Sequence, residues 1–325
     1  MSESVEWRVP PDVEPKPDNY DFDLDAALSA VVSLRSRVPS DAFTAEVLGN
    51  ERAGNGVVID EKGIVLTIGY LITEADEIWL TTNSGRVVSG HPLAFDQVTG
   101  FGLVQALGGL DLPALPLGQT RDVMIGTRVI AAGAGGAPHS LTAFVAGKQE
   151  FAGHWEYVLD EALFTVPAHP FWGGTGLIGP NGNLLGIGSL QLQQAREDGS
   201  SVPLNMYVPI DILKPILNDM ITSGRPNRPP RPWLGLYATE VDDRIVIAGI
   251  SGRGPAAKAD LRQGDVVLEV GGSEVTGLAN LFRKIWSLGE AGVEVPMTVA
   301  RDGTSIELRV ASGDRNKFLK GPSLH

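Results

Sequence analysis

A mostly β protein built from two domains is predicted, and three features of the sequence carry that expectation. Between residues 43 and 208 ten or more short apolar or β-branched runs follow one another, separated by turn signals. Glycine and proline together (40 and 22 of 325 residues) make up about a fifth of the chain, which favours short strands over helical bundles. The segment RPNRPPRP at 225–232 carries four prolines and reads as a stiff linker to a second, smaller unit.

Residues 1–23 place Pro10, Pro11, Pro15 and Pro17 among acids and are expected to form an extended or disordered arm. The stretch LDAALSAVVSLRSRV sets Leu24, Leu28, Val31, Leu34 and Val38 near one face at helical spacing, so a helix ending at Pro39 is predicted. The runs AFTAEVLG, GNGVVID, GIVLTIGYLI, EIWLTTN, RVVSGHPLAF, GFGLVQAL, TRVIAAGA, LTAFVAG, EALFTVP and NLLGIGSL follow as strands. So many strands in one domain imply a pair of closed barrels or a sandwich. A second helix is expected over Asp211–Ser223, with Gly224 as its cap. Beyond the linker, residues 233–313 alternate strand, strand, short helix, strand, helix, strand, strand, and the tail 314–325 is basic.

The hydrophobic fraction of 43% is ample for two cores and excludes global disorder. A net charge of −13 argues against nucleic-acid partners or an anionic membrane surface. The chain has no cysteine, which removes disulfides, thiolate metal sites and a cysteine nucleophile. No apolar run approaches the roughly 18 residues of a membrane span, so no membrane insertion is expected. The acidic, proline-rich N-terminus lacks the apolar core of a secretory signal, and a cytoplasmic location is expected on that ground, with the periplasm as the alternative for a truncated N-terminus. GAGGA at 133–137 lacks the Gly-Lys-Ser/Thr ending of a phosphate loop and is expected to be a turn. No His/Asp/Glu cluster has metal-ligand spacing, so neither a metal nor a cofactor is implied.

GNGVVIDEKGIVLT (54–67), LPALPLGQTRDVMIGTRVIAAG (112–133) and LIGPNGNLLGI (177–187) resemble the protease domain of the HtrA/DegP family of trypsin-like serine proteases. RPWLGL (231–236) and SGRGPAAKADLRQGDVVLEVGG (251–272) resemble that family's PDZ domain. The likeness runs from about residue 40 to 313 in the family's order. It implies a trypsin-like double six-stranded β-barrel over 24–224 followed by a small α+β PDZ domain over 233–313. It also implies a role in protein quality control and assembly as a homo-trimer or as a mixed oligomer with active relatives.

Serine proteolysis needs a nucleophilic serine, a histidine to take its proton and an aspartate to orient the histidine. At the positions where the family carries them, this sequence has Tyr70 for the His, Gly100 for the Asp and Gly173 for the Ser. His169 and Thr175 form the one local pair that could stand in. Gly173 and Gly174 are a candidate remnant of an oxyanion hole or simply a turn. The expectation is therefore a catalytically inactive pseudoprotease that serves as a peptide-binding scaffold. A regulatory subunit joining active relatives, and an active serine-type endopeptidase with a non-standard site, are the alternatives.

A PDZ domain adds an extended peptide to a sheet edge and catches its terminal carboxylate on the amides of a short loop. By resemblance that loop is Trp233, Leu234, Gly235 and Leu236, and the far wall of the groove is the helix carrying Leu278, Leu281, Phe282 and Ile285. For those four residues groove wall and domain core both remain open, including a groove that is blocked. The expected partners are protein C-termini or extended peptides.

Overall fold

The computed structural model describes residues 7–196 and 198–321, so the first six residues of the expected arm and the last four of the tail, His325 included, lie outside the described residues. The chain divides into two compact units. The first comprises the chain up to Gln149 together with Glu161–Pro226; the second comprises Glu150–Asp160 and Asn227–Lys320.

In the first unit, helix α1 (Leu24–Ser29) starts where the Asp23 carboxylate accepts the Ala26 N–H (2.9 Å). Strand β1 (Val31–Arg37) follows at once. The predicted helix through Val38 is thus corrected. After Ala30 the buried positions alternate with exposed ones, and the strand pairs on both sides. Val31 and Val32 are β-branched and stiff at χ1, and two ladders of hydrogen bonds outweigh a marginal helical period. The short helix α2 (Ala45–Leu48) precedes β2 (Glu51–Val58), β3 (Ile64–Ile68), β4 (Glu77–Thr81), β5 (Val87–Phe95) and β6 (Phe101–Ala106). These close into a barrel in the order β1-β2-β3-β6-β5-β4.

The second barrel is built of β7 (Arg128–Ala132), β8 (Ser140–Gly153), β9 (Tyr157–Val166), β10 (Gly176–Ile178), β11 (Leu184–Ala195) and β12 (Ser201–Pro209). Its order is β10-β11-β12-β9-β8-β7. Val9 from the described part of the arm joins its core with Val129, Leu141, Leu163 and Tyr207. The arm is held by Val9 N–H donating to Pro138 O (2.9 Å) and by Thr142 N–H donating to Val13 O (2.7 Å). The helix expected over Asp211–Ser223 is shorter. A single 3-10 turn covers Ile210–Ile212, and α3 runs over Leu217–Ser223, capped by Gly224 at φ 71. Pro215 keeps Lys214 out of a regular helix and removes an amide donor, which splits the element.

The second unit is a sheet in the order β13 (Leu236–Val241), β14 (Arg244–Ile250), β15 (Val266–Val270), β17 (Glu294–Arg301) and β18 (Thr304–Ala311), with β16 (Ser273–Glu274) paired to β15. Helix α4 (Pro255–Lys258) and the longer α5 (Leu278–Ser287) pack on it. Leu281, Phe282 and Ile285 of α5 are fully buried with Leu234, Leu236 and Val299. Val158, from the start of β9, belongs to this core as well. Residues 150–160, the tip of the β8–β9 hairpin, therefore belong to the second unit, which a reading of that hairpin as barrel strands alone did not anticipate.

Candidate functional sites

The first candidate site is a cavity of about 710 Å³ in the first unit, lined among others by Trp7, Asn55, Tyr70, Asn83, Phe171 and Gly173. Asn55 organises its floor. Its backbone N–H donates to Gly173 O (2.8 Å), its Nδ2 to Phe171 O and Gly173 O, and its Oδ1 accepts Ala134 N–H. Glycine is required at 174, where φ is +76 and a Cβ would sit 1.9 Å from Asn55 O.

Tyr70 follows β3 on a 3-10 turn, and its Oη donates to Ser189 O (2.9 Å). Burial pushes its phenol above the usual range, so the group stays protonated at neutral pH. A Cβ placed on Gly173 would meet Tyr70 Oη at 2.8 Å. The tyrosine hydroxyl thus fills the space in which a side chain at 173 would begin. Gly100 lies in the turn before β6, with its N–H on Asp96 O and its carbonyl accepting Gly69 N–H (2.7 Å each).

His169 and Thr175 are not brought together. The His169 ring accepts Phe171 N–H at Nδ1 (3.1 Å), which leaves Nε2 to donate to His139 O (2.9 Å). Burial holds the ring below its ordinary 6.5, against the upward pull of its hydrogen bond to the His139 carbonyl. Asn205 Oδ1 accepts the His169 N–H, so the residue is held from three sides. Thr175 is fully buried; its Oγ1 donates to Trp172 O (2.8 Å) and lies 3.3 Å from Tyr207 Oη. The oxyanion-hole remnant is also corrected at Gly174, whose N–H is spent on Gly188 O (2.8 Å).

The second candidate site lies wholly in the second unit. Leu234, Gly235 and Leu236 aim three successive N–H groups at one carboxylate, that of Glu156 at the tip of the β8–β9 hairpin. Leu234 N–H reaches both oxygens (3.2 and 3.1 Å), Gly235 N–H donates at 2.7 Å and Leu236 N–H at 3.1 Å. The loop is held open for this by its own carbonyls: Leu234 O accepts Ala256 N–H and Gly235 O accepts Ser251 N–H. Gly235 has φ +78, and a Cβ there would press on Gly254 Cα and the Trp233 ring at 3.0 Å. Burial drives the Glu156 carboxyl up to about 7, against the downward pull of the three amides and of Arg315.

Of the other expected groove residues, Trp233 turns away. It exchanges backbone bonds with Gly313 and packs its ring 4.9 Å from Phe318. Leu281, Phe282 and Ile285 lie in the core, and Leu278 is half-buried at a cavity of about 460 Å³ shared with Glu150, Glu240 and Arg283. Glu156, His154 and Arg283 escaped the sequence reading. One signal was present: FAGHWEY (151–157) places three aromatics on a hairpin tip that solvent alone would not favour.

Residues 54–187 match the model of the trypsin-like peptidase domain, and residues 232–311 match that of the PDZ domain. A probable periplasmic serine endoprotease, DegP-like, from Pseudomonas fluorescens is 28% identical over 274 residues, 80% of this chain and 56% of that protein. Its counterpart from Halomonas elongata is 28% identical over 281 residues, 82% of this chain and 58% of that protein. The chain thus spans a little over half the length of the curated relatives it matches. Among solved structures, the HtrA-type protease AlgW with a tripeptide aligns at a TM-score of 0.52 and 20% identity, over 95% of this chain and 99% of that one. The serine endoprotease from Yersinia pestis aligns at 0.52 and 20%, over 90% and 98%. Both likenesses bear on the fold.

Two expectations are overturned by these names. The relatives are called serine endoproteases, so a pseudoprotease scaffold or regulatory subunit, drawn from Tyr70, Gly100 and Gly173 alone, is not supported. The physical weakness of that step is that a catalytic triad is recognised by its geometry and roles and not by sequence position. The relatives are also called periplasmic, which removes the support for a cytoplasmic location.

Proposed function

We propose that this chain, a trypsin-like peptidase domain followed by one PDZ domain, is an HtrA/DegP-type serine endoprotease of the periplasm that recognises extended protein segments and free C-termini. The observation that carries the recognition half is the Leu234–Leu236 loop, where three consecutive amides converge on a single carboxylate. The hydrolytic half rests on the names of the relatives and on the paired closed barrels with a cavity at Asn55, Tyr70 and Gly173. In this reading the catalytic groups are of a non-standard kind, since Tyr70, Gly100 and Gly173 stand where resemblance puts base, orienter and nucleophile. Residues 24–224 form the peptidase part, 225–232 the linker and 233–313 the peptide-reading part, and assembly is as a homo-trimer.

The test is cleavage of casein by the full chain, with and without free-acid decapeptides, beside labelling with an active-site-directed fluorophosphonate and mapping of the labelled residue. Cleavage that the fluorophosphonate abolishes supports the reading and names the nucleophile. Intact casein and an unlabelled chain under every condition, beside a relative that cleaves, would sink the hydrolytic half.

A further inference from the structure

The carboxylate on the Leu234–Leu236 loop comes from the chain itself. Glu156 belongs to the β8–β9 hairpin tip His154–Trp155–Glu156, and the contact extends beyond one side chain. Ala238 N–H, on the edge strand β13, donates to His154 O (2.9 Å), two residues before Glu156. The tip therefore runs toward the loop in the direction of a peptide whose C-terminus enters it, and offers β13 a backbone acceptor where such a peptide would.

The rest of the hairpin is fastened to the same groove. Val158 is buried in the core of the second unit and Ala152 packs against it. Arg283, on the α5 wall, pairs with Glu150 and Asp160 on the two hairpin strands. Trp155 stacks on Tyr157 and meets His154 edge-on, and Gly153 is the residue over which the indole folds, since a Cβ there would meet the ring at 2.7 Å. Glu156 holds the tip in a left-handed conformation at φ 61, which its three amide partners stabilise.

We propose that the hairpin tip His154–Glu156 is a built-in surrogate ligand that closes the peptide groove in cis, and that an external chain bearing a free C-terminal carboxylate binds by displacing it. This deepens the recognition half of the proposed function and rests on it. The chemistry dictates the competitor: a terminal carboxylate replaces the Glu156 carboxylate on the same three amides, and an extended backbone replaces His154 on β13. A C-terminal amide sets an NH2 donor against these N–H donors, since Leu234 N–H reaches both oxygens, and does not compete. The groove is reachable only in the fraction of molecules with the hairpin undocked, which scales the apparent affinity by that fraction.

The experiment compares the full-length parent with Glu156→Gln and Glu156→Gly. The probes are a pool of fluorescein-labelled decapeptides with free C-termini and the same pool amidated; anisotropy and hydrogen exchange at Leu234–Leu236 are the readouts. The expected result is binding of the free-acid pool at least tenfold tighter in both variants than in the parent, with the amidated pool bound by none. Equal affinity of parent and variants would overturn the proposal. Where no protein binds the pool, hydrogen exchange decides. Amides of Leu234–Leu236 exchanging at least tenfold faster in the variants sustain the cis closure and count against peptide recognition instead. Unchanged exchange overturns the closure. The Gly variant relieves the left-handed backbone and guards against a folding defect.

Discussion

Raising the pH should loosen the Glu156 contact, and the size of the effect follows from where the carboxyl sits. Docked, it is buried and titrates at about 7; its ordinary value is 4.5. Burial disfavours the anion more than the amides of Leu234, Leu236 and Gly235 and the charge of Arg315 favour it. A carboxyl whose value rises on docking takes up a proton when the hairpin closes. Its contribution is complete below 4.5 and is lost as pH rises through about 7. The gap corresponds to ~3 kcal/mol between the ends of the titration, or about three-hundredfold in the docking equilibrium. His154 opposes this: burial holds its ring below 6.5, so its share of docking is lost as pH falls. His154→Asn removes that titration and keeps the backbone carbonyl that Ala238 uses. The assay is the carboxyl 13C shift of Glu156 in this variant between pH 4 and 9, assigned by its loss in Glu156→Gln. Protection of the Leu234–Leu236 amides is followed in parallel, referenced to an unstructured peptide. A midpoint near 7 with protection falling across it is expected. A midpoint near 4.5, or protection that does not change, would refute the reasoning.

Four further outcomes are expected. Gly173→Ala should cost about 1–2 kcal/mol by pressing on Tyr70 Oη, and less in a Tyr70→Phe background; urea unfolding of the four proteins measures a coupling of ~1 kcal/mol. Arg52→Met should destabilise the first unit by about 3 kcal/mol, because the buried guanidinium donates to Tyr70 O, Thr73 O and Thr44 Oγ1 beside the buried Glu74 carboxylate; thermal unfolding reads it. Gly235→Ala should cost ~1–2 kcal/mol for a side chain in a left-handed conformation, visible as a lower urea midpoint of the second unit. Burial raises the Asp265 carboxyl, but the Arg301 fork and the Arg262 N–H outweigh it and hold it below 3.8. The stability it adds is present above 3.8 and is lost as pH falls, so acid unfolding should steepen in the parent and flatten in Asp265→Asn.

Much of the architecture was legible because strand and turn signals are local. Short apolar runs, turn signals and the Pro-rich 225–232 segment predicted a β-rich first domain, a barrel pair or a sandwich, and a second unit, and the family resemblance selected the barrel pair. Local periodicity failed where pairing partners decided the outcome. Val31–Arg37 satisfies a helical spacing and a strand alternation alike, and only Glu51–Val58 and Glu77–Thr81 on either side make it a strand. At Pro215 the local rule was available and simply outranked the apolar period.

The candidate sites divide in the same way. The residues at 70, 100 and 173, and the loop at 234–236 with a glycine in its middle, can be located in the sequence through short motifs shared with the family it resembles. Activity cannot be taken from them, since it belongs to the arrangement of a whole cleft. What Tyr70 does to Gly173, and that His169 and Thr175 spend their polar groups on other partners, depends on contacts between strands far apart in the chain. The sequence, through its resemblance to a PDZ domain, implied a loop at 233–236 for a carboxylate. Only the tertiary structure decided which carboxylate lies there, because Glu156 and Leu234 are 78 residues apart and no local pattern couples a hairpin tip to a distant loop.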